Sequence, residues 1–197
     1  MLVLGEIASV LSGVSVREAQ SGPACFVRLS DLSDLKAGRI PALATGEVPA
    51  VARALLIEAG DLIVGARGLV TDVCAATDAV FGTYVSLDIY LVRPDQDKVN
   101  PQYLAAFLAL PATQALLAGS KQGSSLARLP KEALETIEVP LPPMAVQQMI
   151  ARLALSFDEE DKLLKKLTDL NSIFGRETVA RAIRAADPRQ NSKRSTQ

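Results

Sequence analysis

Three prolines in four residues, Pro140, Pro142 and Pro143, stand directly before the longest helical pattern in the chain. From there Val146, Ile150, Leu153, Phe157, Leu164, Leu167 and Phe174 recur at 4-3 spacing, with Glu160 and Asn171 on the same stripe. Such a repeat is an a/d seam, here about four heptads long. Met149, Leu155, Leu163, Leu170 and Ile173 widen the apolar surface beyond a narrow seam. Gly175 is expected to kink or end the helix, with further helical turns to about Ala186. A helix of about 35–45 residues extends roughly 50–65 Å. A domain of about 140 residues is only about 30–40 Å across. The helix is therefore too long for its own domain to cover, and its stripe is expected to meet a second helix. The prolines fix φ and restrict their neighbours, which suits a stiff joint between domain and helix.

Residues 1–141 read as short mixed elements. Leu2–Leu11 is an apolar run closed by Ser12-Gly13, and "CFVRLSDLSD" (25–34) reads as a strand entering a polar turn. "ALLIEAGDLIVGARG" (54–68) places Ala59-Gly60-Asp61 between two apolar runs and is hairpin-like. "AVFGTYVSLDIYLVRP" (79–94) is β-branched and aromatic and predicts a central strand. Asn100 and Pro101 predict the N-cap and first position of a helix, interrupted at Pro111 and resumed from about Ala112 to Leu117 or Ala118. "KEALETIEVPLPP" carries one helical turn into a last strand. The expected organisation is α+β: a compact mixed domain over 1–141, a long helical region over 142–186, and a disordered polar tail over 187–197.

Composition removes several chemistries. The 197-residue chain has no histidine, so no Ser-His or Cys-His nucleophile and no imidazole metal site can be assembled. Cys25 and Cys74 form no CxxC, which leaves no zinc pattern, and are expected to be free buried thiols, as fits a reducing cytoplasm. "MLVLGEIASV" has no basic residue ahead of its apolar run, so no secretory leader is expected. No apolar run approaches the roughly 20 residues of a membrane span, and a cytoplasmic protein is expected. Net charge is −1, distributed as 11 basic against 15 acidic residues over 1–141 (−4) and 10 against 7 over 142–197 (+3). Neither part is the strongly basic body that marks a nucleic-acid binder by composition alone.

Three motifs invite chemistry. "VNPQY" (99–103) departs from the Asn-Pro-Pro-aromatic motif of amino-methyltransferases because Gln102 holds the third place and no glycine-rich cofactor loop precedes it; a helix cap explains Asn100 and Pro101 completely. "GSKQGSS" (119–125) is not a phosphate-binding P-loop, since its spacing does not match. Its small hydroxyls, backbone N–H groups and Lys121 suit phosphate contacts, and equally a solvated loop. "GARG" (65–68) holds Arg67 between glycines, where an arginine either makes bidentate contacts to phosphate or guanine or is simply solvated. The acidic run Asp158–Asp161 reads as a solvated helix face.

Taken together, "LGEIASVLSG" (4–13), "FVRLSDLSD" (26–34), "IEAGDLIVGARG" (57–68), "VNPQYLAAFLAL" (99–110) and above all "GSSLARLPKEALETIEVPLPPMAVQQMI" (123–150) resemble the specificity subunit of type I restriction–modification enzymes. The resemblance covers about 1–175. It implies a target-recognition domain that reads half of a split DNA site, followed by a long helix that packs antiparallel on a second one. One domain and one helix imply a half-subunit completed by homodimerisation through Val146, Ile150, Leu153, Phe157, Leu164, Leu167, Asn171 and Phe174. Asn171 at an a-like position would favour one register, and Glu160 would face a lysine such as Lys162 or Lys166.

The resemblance further implies double-stranded DNA and a DNA methyltransferase subunit as partners, with a restriction subunit as a further candidate, and no catalytic activity or resident cofactor in this chain. S-adenosylmethionine would come with the methyltransferase. Base contacts are expected from loops holding Arg17, Gln20, Arg28, Ser30, Lys36, Arg39 and Arg67, and phosphate contacts from Lys121, Gln122, Ser124, Ser125 and Arg128. Ala145 and Val146 stand where family members usually carry acidic residues after the proline pair. A domain at −4 implies weak DNA affinity alone, supplied largely by partner subunits, because Lys/Arg–phosphate contacts provide most non-specific binding. Two rival functions are an adaptor that keeps the fold without binding DNA, and an enzyme using Asp61 or Asp72.

Overall fold

A computed structural model of the chain describes residues 1–18, 21–47, 56–68, 70–123 and 127–186. The tail expected to be disordered, 187–197, lies outside these residues. The chain divides into two units, Met1–Leu155 and a second beginning at Ser156. The expected class is the one adopted, a mixed α/β unit and a long C-terminal helix.

The first unit centres on a four-stranded antiparallel sheet in the order β2 (Ala8–Ser12), β9 (Ile89–Pro94), β6 (Leu62–Gly65), β7 (Val73–Ala75). Both faces of its inner strands are buried. Leu62, Val64, Tyr90 and Val92 point into one apolar cluster with Leu104, Leu108 and Leu117. Ile63, Ile89 and Leu91 point into another with Val27, Leu32 and Ile57. Two-sided burial explains why these strands read as continuous apolar runs rather than alternating ones. The helices on the first cluster are α3 (Pro101–Ala109) and α4 (Pro111–Gly119), with α5 (Lys131–Glu135) beyond them.

Asn100 caps α3 as expected, its side chain accepting from the Tyr103 N–H at 3.0 Å. Leu110, ahead of Pro111, is extended (φ −59°, ψ 140°), because the proline ring excludes the helical conformation before it. The helix breaks there, restarts at once, and turns by 69°.

A second sheet has the order β3 (Arg17–Glu18), β5 (Ala44–Glu47), β4 (Ala24–Val27), β8 (Tyr84–Val85), with β4 and β8 parallel. The short helix α2 (Leu32–Lys36) follows β4. β1 (Leu2–Val3), followed by α1 (Leu4–Ile7), pairs with β10 (Glu138–Val139), tying the N-terminus to the strand that enters the proline segment.

Two strand expectations are corrected. The hairpin over 54–68 does not form: Leu56–Glu58 is not a strand, Ala54 and Leu55 lie outside the described residues, and β6 pairs with β7 and β9. Gly60 (φ +89°) instead turns the chain so that buried Asp61 accepts the Glu58 N–H at 2.8 Å and two Arg93 N–H groups at 2.8 Å each. The single strand over 79–94 splits into β8 and β9, which belong to different sheets, at a turn over Ser86–Asp88.

Both cysteines are free thiols, but only Cys74 is buried as expected; Cys25, on β4 of the second sheet, is exposed. Burial, reinforced by the Asp72 charge and opposed by Lys36, pushes the Cys74 thiol up to about 12 from 9.0. The thiolate is the reactive form, so alkylation of the native chain should modify Cys25 alone, and Cys74 only on unfolding; peptide mass mapping reads this. The raised value also sets a pH window. Because burial penalises the thiolate, the contribution of Cys74 to stability is fully present below pH 9 and is lost as pH rises toward about 12.

The helix α6 (Met144–Ala186) runs for 43 residues, about 65 Å at 1.5 Å per residue. Gly175 neither ends nor interrupts it, contrary to expectation. An exposed helical glycine costs only about 1 kcal/mol relative to alanine, which a helix this long absorbs. No single helix among the described residues is long and apolar enough to cross a membrane.

Candidate nucleic-acid interface

Three segments distant in sequence interlock through backbone hydrogen bonds: residues 65–68 at the end of β6, the turn before β9, and the loop after α4. The Ala66 N–H donates to the Asp88 carbonyl and the Leu129 N–H to the Ala66 carbonyl, both at 2.8 Å. Gln122 and Arg128 exchange both backbone bonds at 2.9 and 2.8 Å, and Arg67 bridges to Arg128. Gly65 is closely surrounded, since a Cβ there would lie 3.0 Å from Leu29 Cδ1.

This frame gathers cations from separate motifs. Asp88 Oδ1 lies 2.5 Å from Arg67 Nε and 3.4 Å from Arg128 Nη1. Arg128 also donates to the Leu87 carbonyl at 3.0 Å and sits over the Tyr90 ring, 5.4 Å from its centre. The Tyr90 hydroxyl donates to the Leu129 carbonyl at 2.7 Å, fixing that ring under the guanidinium. Lys121 Nζ donates to the Gly68 carbonyl at 2.7 Å; burial draws its pKa down and the Asp72 charge opposes that. Asp72 in turn accepts from Lys36 at 2.7 Å. Lys36, Arg67, Lys121 and Arg128 against Asp72 and Asp88 leave this patch at +2, four positive groups less two negative, inside a domain at −4.

Of the remaining expected contacts, Arg28, Ser30 and Arg39 have other partners. Arg28 pairs with buried Asp31 at 3.3 Å and donates to the Ala42 carbonyl at 3.2 Å; Ser30 donates to the same carboxylate at 3.3 Å. Arg39 pairs with Asp34 at 2.5 Å. Arg17 stands in β3 opposite Glu47. Gln122 is exposed. Gln20, Ser124 and Ser125 lie outside the described residues. The structure therefore brings together Lys36, Arg67, Lys121, Gln122 and Arg128.

Sequence reasoning missed Asp88 and Tyr90, which hold the arginines, and read Asp72 only as an enzyme's acid. No local spacing marks them, because each acts on residues far along the chain. The two acids of the enzyme alternative are both engaged: Asp61 accepts from Arg93 and a backbone N–H, and Asp72 accepts from Lys36. Asp158–Asp161 is exposed as expected, with Asp158 paired to Lys162 at 2.7 Å. Among the described residues no group of acids and cysteines could hold a metal ion.

The start of α6 is anchored within the first unit by a residue not anticipated as a clamp. Gln147 is 2% exposed. It accepts the Asn100 N–H at 2.9 Å and donates to the Pro142 and Lys98 carbonyls at 2.9 and 3.3 Å. The Tyr103 hydroxyl holds the Pro140 carbonyl at 2.6 Å. Ala151 is buried on the same face, Val146 and Ile150 are half-buried, and Ile150 packs against the core. Leu153, Phe157, Leu164, Leu167 and Phe174 are 54–71% exposed, and Asn171 is exposed.

A family model described as the type I restriction modification DNA specificity domain matches residues 50–171. Solved structures share the fold. The S subunit of a type I restriction–modification system from M. genitalium aligns at 13% identity and TM-score 0.58, over 89% of this chain and 43% of that one. The HsdS subunit from Thermoanaerobacter tengcongensis aligns at 18% identity and TM-score 0.56, over 84% and 38%. A chain from a type I R-M system studied for its complex assembly and conformational transition aligns at 17% identity and TM-score 0.63, over 92% and 43%. This chain spans about two fifths of the length of the structures it matches.

Proposed function

This chain belongs to the type I restriction–modification DNA specificity family, and from that premise we propose that it is a sequence-recognition subunit that binds duplex DNA and recruits methyltransferase subunits. The observation that carries this reading is the union of Arg67, Lys121, Gln122 and Arg128, from two sequence motifs, on one hydrogen-bonded frame. Arginine held in a fixed orientation suits the bidentate major-groove contact to guanine, and lysine the phosphate contact. Arg17, Gln20, Arg28, Ser30, Lys36 and Arg39 are further proposed base contacts, and Ser124 and Ser125 further phosphate contacts. The small local excess of positive charge in an acidic domain suits weak binding alone, with partner subunits supplying the rest.

Two chains would pair antiparallel along α6 over about residues 144–174, with Val146 and Ile150 adding whatever surface their own domain leaves. Two-fold pairing implies a palindromic, interrupted target. With about 30 residues of overlap, or ~45 Å, half-site centres fall roughly 10–15 base pairs apart. Methylation-sensitive sequencing of the source genome, with the gene intact and deleted, tests the function. An interrupted methylated motif should vanish on deletion. An unchanged methylation pattern would contradict the proposal and leave an adaptor.

A further inference from the structure

We infer that Asp88 is a positioning residue that stands in for a DNA phosphate, holding Arg67 and Arg128 in the unbound protein and yielding Arg128 to the backbone of duplex DNA. This rests on the DNA-recognition function proposed above and concerns how that site is regulated.

The two arginines meet Asp88 unequally. Arg67 Nε approaches Oδ1 at 2.5 Å, an ion-pair distance, whereas Arg128 Nη1 stands off at 3.4 Å. Arg128 does not depend on that contact for its place. It keeps a 3.0 Å bond to the Leu87 carbonyl and its seat over the Tyr90 ring, and Tyr90 is itself 2% exposed and pinned. Removing the carboxylate from Arg128 therefore frees the charge without freeing the side chain. The Asp88 side chain is 43% exposed, so an incoming anion can reach the pair from solvent.

Electrostatics favour the exchange. A partly exposed carboxylate–guanidinium pair is screened and weak. A phosphate on that guanidinium also releases condensed counterions, an entropic gain that the internal pair lacks. While Asp88 remains in place, its charge repels any phosphate that does not arrive in register with Arg128. The carboxylate thus penalises loosely docked, non-specific DNA more than a correctly seated site, which is specificity through a repulsive element. Tight pairing with Arg67 keeps that guanidinium oriented throughout. Asp88 is anchored for this role by its own backbone, since its carbonyl accepts the Ala66 N–H at 2.8 Å. Side-chain substitution leaves that bond intact.

The test is the salt dependence of binding by the full chain, purified with its methyltransferase subunits, to a mixed-sequence DNA duplex. Asp88→Asn removes the charge and keeps the shape. It should tighten binding about three- to ten-fold at moderate salt and steepen the slope of log K against log salt by about 0.9, one added phosphate contact. Arg128→Gln should leave that slope near its wild-type value and, combined with Asp88→Asn, should abolish the increase, whereas Asp88→Glu should keep the wild-type slope. If Asp88→Asn leaves the slope unmoved while Arg128→Gln lowers it, DNA recognition stands and the inference about Asp88 is overturned. Parallel weakening by Asp88→Asn with unchanged slope also overturns it, since a purely structural brace behaves that way. Absence of wild-type binding even at low salt overturns the inference together with the function on which it rests.

Discussion

Leu164→Glu should convert the proposed dimer of the full chain to a monomer while leaving the fold of its first unit intact. The side chain is 54% exposed in the single chain, and exposed substitutions of this kind usually shift folding stability by no more than about 0.5 kcal/mol. In the proposed antiparallel pair the same position is buried on both helices. Each chain then loses about 1.5–3 kcal/mol of leucine burial. Each also places a carboxylate in an apolar seam, which costs several kcal/mol unless it is neutralised. Even about 4–5 kcal/mol in total weakens association more than a thousand-fold. Sedimentation equilibrium measures the mass and circular dichroism the fold. Unchanged self-association would place the contact elsewhere. Exposed Leu163, Leu167, Leu170 and Phe174 at 55–71% are the reason to expect a large effect, since contiguous apolar surface on a lone helix marks an interaction site.

Gln147→Ala should destabilise the first unit by about 2–4 kcal/mol, lowering its melting temperature by roughly 5–15 °C. The amide uses both donor hydrogens and its acceptor, on the Pro142 and Lys98 carbonyls and the Asn100 N–H. At 2% exposure water cannot replace them without opening the joint, and buried unsatisfied groups carry most of the penalty. Gln147→Glu separates the contributions. It keeps the acceptor for Asn100 but turns a carboxylate toward two carbonyl oxygens, so it should melt no higher than the alanine variant. An exposed change one residue along, Gln148→Ala, should leave the melt within about 1 °C. Equal melting of the wild type and Gln147→Ala would show that prolines alone stiffen the junction.

What was legible in the sequence was mostly local. The 4-3 repeat from Val146 marked α6, Asn100-Pro101 marked the start of α3, Pro111 the break after it, and "KEALETIEV" the turn and strand that follow. These signals rest on caps, proline sterics and periodicity, which act within a few residues. Gly175 misled because its intrinsic penalty is small beside the continuity of a 43-residue helix. The run 79–94 misled because both its strands are apolar, and only pairing partners elsewhere in the chain assign β8 and β9 to different sheets.

The candidate interface was legible by residue type and glycine context at Arg67 and Lys121. It was illegible in its acids. Asp88 serves Arg67 across 21 residues and Arg128 across 40, and Asp72 serves Lys36 across 36. No sequence spacing encodes such partners, so the degree to which each cation is held by a carboxylate emerges only from the fold. Gln147 shows the same limit: its position at the head of a helix was plain, whereas its three hydrogen bonds depend on where residues 98–100 return.

The most direct test is selection from a pool of random-sequence DNA duplexes by the full chain with its methyltransferase subunits, followed by sequencing of the captured molecules. Two reading domains related by a two-fold axis should enrich an inverted repeat of short half-sites, with an invariant gap and centres roughly 10–15 base pairs apart. A pool with no enriched motif, or with one undivided motif lacking an inverted second half, would contradict the account.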